Sequence, residues 1–276
     1  MIKSILVGVD ASAQAAAARE HAMELARAYQ ARVVGVHVLD VRLLEMPPYL
    51  EYSYEGIPLV PMPAEILEGF REKGERVLEE FRRSLDGSGV AVESRLEEGV
   101  PAETVAEIGR THDLIIVGKR GEHARWGHDL LGSTAESVVR RASTPVLLAE
   151  QEARPIKGML LLFDGSQSAG RALRLAADLA TTLKASLRVL TVGDDEEAAG
   201  TAQEGARSYL SAFDLTTDFR IAAGEAVMVT LEHLEEEPTD LVIMGRQGHS
   251  LIRRLILGST SEQLMRELPG PVLLAS

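Results

Sequence analysis

A chain of 276 residues is long for one domain and suits two of ordinary size. With 45% hydrophobic and 26% charged residues it has the makeup of a globular protein, and 4% aromatics leave its cores to Leu, Val, Ile and Ala. A formal net charge of -13 argues against wrapping nucleic acid or lying on an anionic membrane, and the lack of cysteine removes disulfides, thiolate metal sites and cysteine nucleophiles.

The opening MIKSILVGVDAS meets Asp10 after a short apolar run, which is too short for a secretory signal or a membrane span and reads as a first strand, Ile2–Val9. A reducing cytoplasm is the expected location. Ala13–Tyr29 is alanine-rich, with Ala17, His21, Leu25 and Ala28 near helical spacing, and predicts an amphipathic helix. Arg32–Leu39 predicts a second strand. The segment EMPPYLEYSYEGIPLVPMP, residues 45–63, holds five prolines and three of the five tyrosines, and reads as a long loop. It suits either a flap packed on the sheet edge or sister half, or a lid or partner surface. Ala64–Leu85 predicts a helix with a charged face, Val90–Leu96 a strand, and Val100–Arg110 a helix that Pro101 can open. Asp113–Gly118, Ser133–Arg141 and Pro145–Glu150 then read as strand, helix and strand.

The rest of the chain says the same things again. KSILVGVDAS (3–12) matches KGMLLLFDGS (157–166), DLIIVGKRG (113–121) matches DLVIMGRQG (240–248), and LGSTAESVVRRASTPVLLAE (131–150) matches LGSTSEQLMRELPGPVLLAS (257–276). Asp10 and Asp164 lie 154 residues apart, Gly132 and Gly258 only 126, so the first copy carries about 28 extra residues. The second copy predicts strands near 158–163, 186–192, 216–221, 240–245 and 271–275, with helices between them. The expected domains are 1–150 and 155–276, joined near the polar stretch Gln151–Arg154.

Alternating strands and helices predict an α/β fold, with parallel sheets covered by helices on both faces. In such open sheets ligands sit beyond the carboxyl ends of the strands. There lie D-A-S, D-G-S and two G-x-x-G segments, followed by G-S-T after ten residues in the first half and nine in the second. Glycine permits close backbone approach and positive φ, while G-S-T opens a helix whose free N–H groups attract an anion. Together they suit a polyphosphate cradle. The spacing is neither that of a P-loop nor the G-x-G-x-x-G of dinucleotide folds.

G-x-x-G, nine residues and G-[ST], after a fourth strand and far downstream of a strand ending in Asp, resembles the ATP-binding branch of the universal stress protein family. The resemblance covers nearly the whole chain as two tandem copies. It implies two doubly wound five-stranded parallel sheets of order 3-2-1-4-5, of the adenine nucleotide alpha hydrolase type, with ATP across strands one and four. It implies contacts from Asp10 and Asp164 near adenine and ribose, and from the backbone of Val38 and Val192 to adenine. Val117 and Met244 precede the phosphate loops, which comprise Gly118, Gly121, Gly132, Ser133 and Thr134 in one half. In the other they are Gly245, Gly248, Gly258, Ser259 and Thr260. Family members pair their fifth strands, so Pro145–Glu150 and Gly270–Ser276 would form a pseudo-dimer within one chain, with further homo-oligomerisation open.

Lys119, Arg120, Arg125, Arg246, Arg253 and Arg254 are candidates to neutralise phosphates, and Mg²⁺ is expected to accompany ATP. The acidic run GDDEEAAG (193–200) reads either as an acidic first helical turn or as carboxylates facing the cleft. His123, His128 and His249 form no zinc motif. No water-activating base stands at a recognisable position, so no catalytic residue is assigned. A regulatory ATP binder is therefore preferred to a slow ATP hydrolase, a phosphotransferase or an empty scaffold. The extra residue between Gly121 and Gly132 makes the first cradle the less regular one, with Trp126 and Gly127 in its loop.

Overall fold

The computed structural model describes residues 1–44, 64–121, 131–246 and 258–276. The insertion 45–63, Gly248, the three loop histidines, Trp126, Gly127, Arg125, Arg253 and Arg254 lie outside these residues.

Buried apolar runs make the inner strands, while the two at the sheet edges are only partly buried. In the first half the strands are β1 (Ser4–Gly8), β2 (Arg32–Asp40), β3 (Val92–Gly99), β4 (Leu114–Gly118) and β5 (Val146–Ala149). The helices are α1 (Ala13–Tyr29), a short α2 (Val41–Leu44) not anticipated from sequence, α3 (Ala64–Leu85), α4 (Pro101–Gly109) and α5 (Ser133–Arg141). The second half supplies β6 (Gly158–Leu162), α6 (Gln167–Leu183), β7 (Ser186–Val192), α7 (Glu196–Leu210) and β8 (Thr217–Ala222). It ends with α8 (Ala226–Glu236), β9 (Leu241–Gly245), α9 (Ser259–Glu267) and β10 (Val272–Ala275).

Each half has the order 3-2-1-4-5 and all its strands are parallel, the geometry that right-handed crossover helices impose. The halves do not form two separate sheets. They join edge to edge in one ten-stranded sheet, β3-β2-β1-β4-β5-β10-β9-β6-β7-β8. The join is antiparallel, pairing Val146, Leu147 and Leu148 of β5 with Leu274, Leu273 and Val272 of β10. Pairing the fully buried fifth strands removes two open edges that would otherwise template association. One apolar layer on each side of this sheet runs through residues of both halves, so the core is continuous across the join. Among the described residues no helix is long and apolar enough to cross a membrane.

The strand–loop–helix turns that matter for the site are locally encoded. Ser12 caps α1, its Oγ accepting from Ala15 N at 3.1 Å, and Ser166 caps α6 in the same way from Ala169 N at 3.1 Å. Both helices end at non-glycine residues in the left-handed region, Gln30 and Lys184, which occupy matching positions.

Candidate functional site

The carboxyl ends of β1 and β4 bring the first cradle together. Asp10, just past β1, accepts the Ser12 backbone N–H at Oδ1 (2.8 Å), fixing the turn that hands over to the Ser12 cap. Its other carboxylate oxygen lies beside the G-x-x-G loop, since a Cβ placed on Gly121 would stand 3.0 Å from Asp10 Oδ2. Asp164 repeats the turn, accepting from Ser166 N at 2.9 Å. The aspartate and the serine therefore divide the work, with serine as the helix cap and aspartate as the support of its backbone.

The two arms of the loop meet through the backbone. Gly132 N donates to Lys119 O at 2.8 Å, and Gly258 N donates to Arg246 O at 3.1 Å. This crossing explains the third glycine, because a Cβ on Gly132 would lie 3.0 Å from Lys119 O and 3.2 Å from Arg120 Cα. The first glycine has a different reason from the expected one of ligand approach. A Cβ on Gly118 would meet Gln14 Cβ at 2.6 Å, and one on Gly245 would meet the Ser168 backbone carbon at 2.8 Å. The first turn of α1 or α6 passes too close for any side chain. Gln14 and Ser168 are thus part of the site's construction although sequence reading did not single them out. Their signal was only their place in the first turn after D-x-S.

The helices that open with G-S-T start without a side-chain cap, as α4 also does behind Val100. Side chains cap α1, α6, α7 and α8, whereas the N-cap of α5 is Gly132 and that of α9 is Gly258, neither of which has a side chain to offer. The first N–H groups of a helix have no partner within it, and the aligned peptides place partial positive charge there. Ser133, Thr134, Ser259 and Thr260 are exposed beside these ends. Val117 and Met244 are buried in the apolar layer on one side of the sheet, while Val38 and Val192 sit half-buried at the ends of β2 and β7. One further residue stands beside the first cradle. His37, adjacent to Val38, has Nδ1 2.7 Å from Val9 O, so that nitrogen carries the proton, because a carbonyl can only accept.

The expected phosphate-neutralising cations are not all available. Lys119 is 3% exposed; its Nζ donates to Leu268 O at 2.6 Å and lies 3.3 Å from Glu150. Burial pulls its pKa below the ordinary lysine value, with the Glu150 carboxylate opposing that shift. Arg246 Nη1 donates to Val139 O at 2.9 Å and to Ala142 O. Burial, and then the charge of Arg171, lower its pKa. Both cations thus serve carbonyls of the opposite half. Arg120 lies near the same Glu150, at 3.6 Å. The acidic run 193–200 is likewise engaged in structure: Asp195 Oδ1 caps α7 from Ala198 N at 3.0 Å, and Asp194 Oδ1 accepts from Gly224 N at 3.0 Å. Glu196 and Glu197 occupy the first turn of α7, where the helix dipole favours them. Among the described residues no group of three His, Asp or Glu side chains is arranged to hold a metal ion.

The universal stress protein family model matches residues 1–150 and again 155–276. The chain belongs to the universal stress protein family. A universal stress protein of Mycolicibacterium smegmatis is 26% identical over 98% of this chain and 95% of its own length. One from Synechocystis is 29% identical over 73% of this chain and 71% of its own. The crystal structure of a universal stress protein from Archaeoglobus fulgidus, 22% identical, superposes with a TM-score of 0.79 over 99% of this chain and 98% of that one, and so shares its fold.

Proposed function

We propose that this protein binds ATP, accompanied by Mg²⁺, at the ends of β1 and β4 and again at the ends of β6 and β9. The nucleotide acts as a regulatory ligand in a cytoplasmic stress response and not as a substrate turned over. One observation carries the reading. In each half a helix with no side-chain cap begins at G-S-T, tied by its glycine N–H to the strand-end loop. Beside the first of these loops lies the Asp10 carboxylate. Uncapped N–H groups suit phosphate oxygens, and a carboxylate at the strand end suits ribose hydroxyls. The carboxylate does not suit the triphosphate itself, which it would repel without an intervening cation. Gly118, Gly121, Gly132, Ser133 and Thr134 would line the first phosphate site, and Gly245, Gly248, Gly258, Ser259 and Thr260 the second. The backbones at Val38 and Val192 would meet adenine.

In this reading residues 1–150 and 155–276 are two nucleotide-binding domains, and the β5–β10 join makes them a built-in dimer. Calorimetry of nucleotide-free protein with ATP–Mg²⁺ is expected to give micromolar or tighter binding and two nucleotides per chain. Asp10→Ala and Asp164→Ala are each expected to remove or weaken one of the two. No heat of binding in the wild-type chain would overturn the reading.

A further inference from the structure

Lys119 and Arg246 occupy matching places, each directly after the first glycine of its own loop, and each does two things. The backbone carbonyl of Lys119 accepts from Gly132, closing the first cradle, while its side chain donates to Leu268 O, the C-cap residue of α9. The backbone carbonyl of Arg246 accepts from Gly258, closing the second cradle, while its side chain donates to Val139 O and to Ala142 O, the C-cap residue of α5. Yet α9 is the helix that begins at the second cradle, and α5 the one that begins at the first. The bonds therefore form a closed circuit. It runs from the first loop to the far end of the second cradle's helix, along that helix to its glycine, into the second loop, and back to the first through α5.

From this circuit we infer that Lys119 and Arg246 are positioning residues for the opposite half's cradle, and that they couple the two sites. The coupling rests on the nucleotide reading above; the positioning does not. Each helix has nine residues, about 13 Å, so holding its last carbonyls fixes where its first N–H groups point. A cation on those carbonyls satisfies groups the helix leaves unpaired and opposes the negative end of its dipole. The bonds are charge-assisted and buried at Lys119, where solvent competes least.

A second set of contacts follows the same crossed plan. Arg140 of α5 donates to Glu262 of α9 at 2.7 Å, and Arg266 of α9 donates to Glu136 of α5 at 3.2 Å. Glu136 and Glu262 lie in the first turns of the two cradle helices. These ion pairs are part-exposed and contribute little by themselves, so the buried Lys119 bond and the part-buried Arg246 bonds to carbonyls are the principal tie.

The test uses the full chain without ligand, then with ATP. In hydrogen exchange, Lys119→Met is expected to speed exchange of α9 amides by about tenfold or more relative to those of α5. Arg246→Met is expected to do the reverse, loosening α5 and sparing α9. Lys119→Arg and Arg246→Lys, which keep a cation, restore protection. Lys119→Gln, which keeps a shorter donor, replaces the methionine variant if that one does not fold. Loosening confined to each variant's own half, or equal in both, overturns the positioning role. With ATP, Asp10→Ala is expected to shift the remaining site's Kd by about fivefold, a shift lost in the Lys119→Met, Arg246→Met background. An unshifted Kd overturns the coupling. If wild-type protein binds no ATP the nucleotide reading and the coupling fall together, while the crossed exchange pattern still decides the positioning role.

Discussion

The two halves share their backbone crossings and differ in the side chains that surround them. Each has an aspartate that supports a capping serine, a first glycine beneath the opening turn of a helix, and a G-S-T glycine bonded back to the loop. Around these points the residues change freely. Gln14 stands where Ser168 does, Lys119 where Arg246 does, and Ala11 where Gly165 takes a positive φ beneath Ala202. After the second strand the long helix begins at Glu196 in the second half and at Ala64 in the first, where the four-residue α2 comes between. What is repeated is what main-chain geometry permits no other residue to do. What varies is the filling, for which several side chains serve.

The largest expected effect tests a difference between the halves. His21 of α1 is 1% exposed, and neither of its ring nitrogens has a hydrogen-bond partner; the matching position in α6 is Leu175. Burial lowers the His21 pKa from 6.5 to about 4. The unfolded chain therefore takes up this proton first as pH falls. Stability from the neutral imidazole is complete above about pH 6.5 and is lost progressively down to about pH 4. The loss approaches about 3 kcal/mol. His21→Leu, which gives α1 the residue of α6, is expected to flatten the pH dependence of the denaturant midpoint across that window. An unchanged slope would show that the imidazole is already charged or solvated in the folded protein.

Next in size are the shared glycines. Gly118→Ala and Gly245→Ala each force a Cβ against the opening turn of a helix, and each is expected to cost roughly 1–3 kcal/mol by overpacking. Denaturant titration of the two variants side by side checks whether the halves are alike here. A neutral result in either would show that its glycine is kept for the ligand and not for packing. The smallest effects come from the caps: Ser12→Ala and Ser166→Ala should each cost about 1 kcal/mol. Equal values are expected because the two cap bonds have the same length, 3.1 Å. Clearly unequal values would mean that one aspartate takes over the cap in its serine's absence.

Sequence by itself determined the duplication, the α/β class, and the bounds of α1, α3 and α5, which match the pattern-based ranges residue for residue. These follow from local rules: apolar spacing, serine and glycine at helix starts, and proline at the head of α4. It also singled out Gly132, where the loop bonds back on itself and a Cβ would crowd the backbone of Lys119 and Arg120. It did not show why Gly118 and Gly245 are needed, since the crowding atoms belong to a helix about 100 residues and about 75 residues away in the chain. Nor did it show the direction of Lys119 and Arg246, which as cations beside a phosphate loop read naturally as phosphate ligands. Only the antiparallel join of β5 to β10 brings the end of the opposite helix within reach, and its unpaired carbonyls draw both side chains across. A side chain's partner is chosen by what tertiary packing leaves unsatisfied nearby, and no local pattern records that.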